Sequence, residues 1–372
     1  MRKGEMEMDN EKLTPSQIFV IAVFSILGVD ILVVPHDMVS LADQDAWISL
    51  LLGGVLLFLG AIPFLYLLNL YPDKDLPQII LQVAGKWIGR ILFLPIIVFV
   101  IMYAAMSTRL FAQALKLFLV DKTPLWILVI SLVVVAAYMV YKDVFTLGAV
   151  LDILFPITIV SLLILVVLSL QNIQLDRIKP ILFRNTKNVI KAILPGYYHF
   201  AGFGAISYFM RFVSDRKSAY KSYLLGLGVP VFFYVITTVI CIMVFGVPPL
   251  KVIVYPTLNL SKSIEFEAAI LDRLESFMAV FWISMVFSSL AIFYYASVRN
   301  LSEFFSIPNQ YRTYVIWAHI LILPIIALIP PSSIIVFELH EKVKYVEVLI
   351  GFFIFPIITA WAVIKKKREM KQ

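Results

Sequence analysis

The chain has 372 residues, 61% of them hydrophobic and 15% charged, with a formal net charge of +7. Soluble domains carry roughly 25% charged residues, and here apolar runs of about 18 residues or more recur, the length that spans roughly 30 Å of hydrocarbon. A soluble fold is excluded, and basic residues that flank apolar segments without a basic–aromatic array point to membrane topology, not to nucleic acid.

In chain order, residues 1–15 form a polar lead without a small-residue cleavage site, so no cleavable leader is expected. Ten spans follow, at about 16–38, 46–70, 90–119, 124–141, 149–170, 190–212, 219–246, 268–298, 311–330 and 345–364. Tyr71-Pro72-Asp73, Pro248-Pro249 and Pro330-Pro331 punctuate their boundaries. Only Tyr141-Lys142-Asp143 separates the fourth from the fifth. A basic tail, 365–372, closes the chain. The expected class is therefore an all-α integral membrane protein in a single membrane domain.

Orientation follows from Lys and Arg. With a cytoplasmic N-terminus, Lys12, Lys74, Lys86, Arg90, Lys142, Arg211, Arg216, Lys217, Lys221, Arg299, Arg312 and the tail Lys365-Lys366-Lys367-Arg368 all fall inside. The loop 171–191 is the main exception, and it and the connection 247–267 are placed outside. Both termini are expected in the cytoplasm.

Two of the spans are interrupted. Ile26-Leu27-Gly28-Val29-Asp30 breaks the first, and His199-Phe200-Ala201-Gly202-Phe203-Gly204 breaks the sixth. Interrupted helices at matching positions of two halves mark a midplane binding site in transporter folds. Five spans per half force the second half to run the opposite way, so an inverted repeat of 16–170 and 190–364 is expected, with breaks in spans 1 and 6. Half-helix ends present N–H groups to an anion and carbonyls to an ammonium, which suits a zwitterion. Gly28, Gly202 and Gly204 let backbone come close, either to a ligand or to another helix.

Charges inside spans are expensive and usually face a cavity or a partner. Asp30 lies at the first break and His199 just outside the second. Arg109 is roughly 7 Å outward of the centre of span three at 1.5 Å per residue, and Glu275 enters span eight from the outer end. Arg109 and Glu275 are candidates for an outer gate or for structural ion pairs, Asp30 with Arg109 among them. Tyr103 and Ser107 share a helical face, as do Ser284 and Ser288 with Phe287 beside them. These hydroxyls, with Phe200, Phe203 and Phe287 as apolar cover, form the expected walls; the alternative for each is plain packing. No histidine–cysteine cluster, phosphate-binding glycine loop or regular Arg spacing is present, so a metal centre, ATP-driven transport and voltage sensing are not expected. Neither a cofactor nor catalysis is expected.

Leu13-Thr14-Pro15-Ser16-Gln17, Gly28-Val29-Asp30-Ile31-Leu32-Val33-Val34-Pro35, Tyr255-Pro256-Thr257 and Leu271-Asp272-Arg273-Leu274-Glu275-Ser276 resemble segments of the endospore germination permeases. These are the B subunits of nutrient germinant receptors in spore-forming bacteria, and they are similar to the amino acid/polyamine/organocation transporters. The resemblance implies a LeuT-like five-plus-five fold in the spore inner membrane. It also implies a small-molecule germinant as ligand, and a membrane A subunit and a lipoprotein C subunit as partners. Related proton-coupled transporters use a lysine in the fifth span. Residues 149–170 hold Asp152 and no lysine, which counts against proton coupling.

Overall fold

The computed structural model describes residues 12–182, 186–263 and 274–369, without the side chains of 274–280. Among these the chain is almost wholly helical, and eight helical stretches are long and apolar enough to cross a bilayer. Unpaired backbone polar groups cost several kcal/mol each in hydrocarbon, which is why apolar segments of this length settle as helices.

The first expected span is filled by two helices, α1 (Pro15–Ile26) and α2 (Asp30–Ala42). Thr14 starts α1 with a reciprocal capping box to Gln17, and Pro15 occupies a position that needs no donor. The interruption at 27–29 leaves backbone groups to be satisfied from elsewhere. Tyr234 Oη donates to the Ile26 carbonyl at 2.7 Å. Inside α2, Pro35 has no N–H for the Ile31 carbonyl, and the Thr257 hydroxyl donates to it instead, at 2.6 Å.

Next come α3 (Ala46–Leu70), the short α4 (Leu76–Ala84) and the long α5 (Lys86–Phe118). Asp75 caps α4 through Gln78. Then α6 (Leu125–Lys142) and α7 (Val144–Ser169) meet at Asp143, whose carboxylate accepts the Thr146 N–H at 2.6 Å and so separates them within one residue. The sixth expected span holds α8 (Thr186–Tyr198), followed not by another α-helix but by 3₁₀ turns over Phe203–Tyr208 and Met210–Phe212. The rest is α9 (Arg216–Phe245), the short α10 (Val247–Leu250) and α11 (Pro256–Lys262), α12 (Leu274–Phe304), α13 (Arg312–Leu328), α14 (Ser333–Leu349) and α15 (Phe355–Glu369).

The last pair departs from the sequence reading. A π-helical turn, Ile350–Ile354, joins α14 to α15, and the helical stretch runs 37 residues from Ser333 to Glu369 instead of beginning near 345. Ser332 caps it after Pro330-Pro331. Residues 331–344, left between the ninth and tenth expected spans, thus lie largely on a helix, and His340, Lys344 and Glu347 of that helix are buried.

In the interior α1 packs on α9, α3 on α8, and α5 on both α12 and α14. Gly202 takes φ +106°, and a Cβ there would fall on the Ser25 carbonyl oxygen of α1. A Cβ on Gly28 would come 2.8 Å from Ser289 Oγ of α12. The two interrupted segments therefore lie against each other at the centre, and these glycines permit helix-to-helix approach.

Candidate functional site

Asp30 opens α2, where the helix N-terminus favours a negative charge. Its side chain is fully buried. Oδ1 accepts from Lys344 Nζ at 2.7 Å and lies 3.3 Å from His340 Nε2; Oδ2 accepts from Tyr103 Oη at 2.6 Å. His199 Nδ1 is 3.6 Å from Oδ1 and 3.2 Å from Lys344 Nζ. Because an ammonium only donates, His199 Nδ1 is the acceptor in that contact, and the other ring nitrogen carries the proton toward Asp37, 3.8 Å away. The cluster thus draws on α2, α5, α14 and the segment after α8. Buried charges are tolerated when paired and hydrogen-bonded, and Asp30 and Lys344 satisfy both conditions.

Aromatic rings enclose the pair. Tyr103 stacks on His340 with centroids 5.3 Å apart, and Lys344 Nζ sits 5.4 Å from the centre of the Tyr198 ring. Tyr198 donates in turn to Glu341 at 3.2 Å. One turn further along α14, Glu347 is also buried, its Oε1 without a partner among the described residues. Asp30 with two imidazoles would be a reasonable donor set for a cation, but Lys344 already places a positive charge on the same carboxylate oxygen. Among the described residues no His/Cys/Asp/Glu group suited to a metal is found.

The other sequence candidates fall in three places. Leu27, Gly28, Val29, Phe200, Ala201, Gly202 and Phe203 line the central junction but are packed there. Phe200 stacks on Tyr234 at 5.6 Å, and Phe203 meets Phe64 and Phe355 edge-on. Gly204 faces the Phe355 ring. On α12, Ser288 donates to the Ser284 carbonyl at 2.7 Å, so its hydroxyl is used within its own helix, and Phe287 packs against the core. Ser107 is buried one turn beyond Tyr103. Arg109 is not a partner of Asp30; it lines a separate cavity of about 820 Å³. Glu275 lies outside the residues whose side chains are described.

Sequence reasoning missed His340, Lys344 and Glu347. Their positions in 333–349 recur at helical spacing with Val336 and Val343, an amphipathic signal that the density of charge obscured.

Beyond the cluster, on the face that holds Leu13 and Val213, the interior is sealed by ions. Asp75, fully buried, binds Arg299 through Nε at 3.1 Å and through Nη2, and Arg211 at 3.4 Å. Arg299 also reaches Glu303 at 2.9 Å, which takes Gln78 Nε2 at 2.9 Å. Tyr208 donates to Asn300 at 2.6 Å beside them.

A family model described as "Spore germination protein" matches residues 12–334. The chain belongs to that family. Among curated relatives, spore germination protein YndE of Bacillus subtilis (strain 168) is 25% identical over 93% of this chain and 95% of its own length. Spore germination protein B2 of the same organism is 26% identical over 96% of this chain and 94% of its own. Among solved structures, the fold is similar to Mhp1, a nucleobase-cation-symport-1 family transporter in a closed conformation with bromovinylhydantoin bound. The TM-score is 0.68, with 12% identity, over 91% of this chain and 75% of that one. The germination family's fold is thus that of a multi-pass, transporter-like membrane protein, and its members are not enzymes.

Proposed function

We propose that this chain is the nutrient-sensing B subunit of a spore germinant receptor and that it binds a small germinant, an amino acid by preference, where α1 meets α2 and α8 meets the 3₁₀ turns. In this reading the chain has ten spans in an inverted five-plus-five repeat, α1/α2 and α8/203–212 are its broken spans 1 and 6, and both termini are cytoplasmic. It acts in the spore inner membrane with a larger membrane A subunit and a lipoprotein C subunit.

The observation that carries the reading is the Asp30 cluster. A carboxylate fully buried at a helix start, held by a lysine, a tyrosine and two histidines from other elements, is an expensive arrangement for a scaffold. An amino acid supplies both charges needed to exchange with it: its ammonium competes with Lys344 for Asp30, and its carboxylate takes the released Lys344. A ligand signals only through different affinity for two states, and an exchange of ion-pair partners provides that difference. Thermal-shift and calorimetric titration of the purified protein with amino acids, nucleosides and sugars tests this. An amino acid is expected to stabilise the wild type and to lose at least about tenfold in affinity with Asp30→Asn. If no amino acid binds, or if Asp30→Asn binds unchanged, the reading fails.

A second reading, proton-coupled amino-acid transport, gains one observation. The fifth span lacks a lysine, yet Lys344 of α14 supplies a buried ammonium on Asp30, which favours H⁺ over Na⁺ as the coupled ion. Uptake into proteoliposomes under an imposed pH gradient, lost in Lys344→Met, would establish it; absence of net uptake by the wild type removes it.

A further inference from the structure

We infer a second ligand site, distinct from the Asp30 cluster, in the cavity of about 820 Å³ lined by Arg109, and we assign it to a small carboxylate with an apolar tail. The cavity opens on the face away from Leu13 and the Asp75 network. Its floor is Arg109 on α5, its walls are Leu125, Val254, Tyr255 and Phe337, and Lys116 and Asp121 stand exposed at its rim.

Arg109 is the informative residue. Its side chain is only 8% exposed, yet it makes no ion pair or hydrogen bond with any described residue, and its Nε is buried without a partner. Gln113 Oε1, one turn further along the same helix face and lining the same cavity, is likewise buried without a donor. Buried ionised groups are ordinarily paired, since desolvation without a counter-charge is costly. Of the described buried charges, Asp30, Lys344 and Asp75 are ion-paired, while Glu347, like Arg109, has no ion pair among the described residues. A guanidinium that lines a cavity and has no partner among the described residues is set up to take its counter-charge from what enters, and its planar fork matches a carboxylate. The volume suits a small molecule, and mostly apolar walls with few polar groups are the usual lining of such sites.

The site also adjoins the central cluster. Helices α5 and α14 pack together and present Arg109 and Phe337 to the cavity, then Tyr103, His340 and Lys344 to Asp30 deeper in. Occupancy at Arg109 therefore bears on the same two helices that hold the Asp30 pair.

The test uses the purified full chain in nanodiscs and two probes of one shape, 4-methylpentanoate and its neutral amide, 4-methylpentanamide. The acid is expected to bind at least about tenfold more tightly than the amide. Arg109→Gln should abolish that preference, and Arg109→Lys should keep part of it. Equal binding of acid and amide by the wild type, or binding of neither, overturns the inference without any variant. So does an acid preference that survives Arg109→Gln. A preference lost in Asp30→Asn alone moves the carboxylate to the central cluster, overturning this inference while supporting the amino-acid reading above. Failure of amino acids to bind at Asp30, with the acid preference at Arg109 intact, does the reverse.

Discussion

The two ends of the interior handle charge in opposite ways. Toward the face of Leu13 and Val213, Asp75 is fully buried, bound to Arg299 and Arg211, and tied through Glu303 to Gln78. On the other side Arg109 is almost as deeply buried but has no partner among the described residues, and it lines a cavity of about 820 Å³. The first arrangement is a seal, in which every removed charge strands another. The second is a receptive wall. Between them the Asp30–Lys344 pair is the point where a ligand would alter the balance. The difference teaches that this conformation is closed on one side and accessible on the other, a polarity that a sensor or a transporter needs and a symmetric scaffold does not.

The sharpest way to break the comparison is at its pivot. Lys344→Met should destabilise the protein by about 3–5 kcal/mol, because it leaves the Asp30 carboxylate buried without its cation. The double variant Asp30→Asn/Lys344→Met should recover more than half of that loss in thermal or denaturant unfolding. If the single and double variants are equally unstable, the pair is not the unit described here.

Next comes the sealed end. Asp75→Asn should cost about 2–4 kcal/mol by the same mechanism, less than at the pivot because Arg299 and Arg211 are partly exposed and can rehydrate. It should also raise labelling of a cysteine placed at Ser207, fully buried next to Tyr208, by a thiol reagent added from the Leu13 face. Unchanged labelling would mean that the network does not close that side.

A smaller effect separates two glycines. Gly202→Ala should cost about 2–4 kcal/mol, combining a left-handed backbone with a clash on the Ser25 carbonyl. Gly85→Ala shares the positive φ but meets no neighbour, so about 1–2 kcal/mol is expected. Equal losses would show that close packing between the interrupted segments contributes little.

The smallest effect belongs to the open end. Arg109→Gln should change stability by no more than about 1 kcal/mol, and toward higher stability, because no described partner is stranded by its removal. A loss as large as that of Asp75→Asn would erase the distinction between the two ends.

Composition and hydropathy were sufficient for the membrane class, since apolar length in a bilayer leaves the backbone one economical solution. Local chemistry was equally legible where it acts over a few residues. Thr14 and Gln17 start α1, Asp143 divides α6 from α7, and the interruption after Ile26 appears at the glycine that signals it. The sequence marks Asp30 by its cost in a span, but not the residue it pairs with. Lys344 lies 314 positions away, in a segment whose charges look solvated when read alone. Hydropathy averages over a helix and cannot separate a buried face from an exposed one when both are polar. The fate of the glycines was also out of reach, because a missing Cβ favours a ligand and a neighbouring helix alike until the neighbour is in place. The sequence by itself thus determined the membrane class, the all-helical architecture and the family. Only the tertiary structure decided which charge meets which, because pairing in a low-dielectric interior depends on distances between segments that have no relation to their separation along the chain.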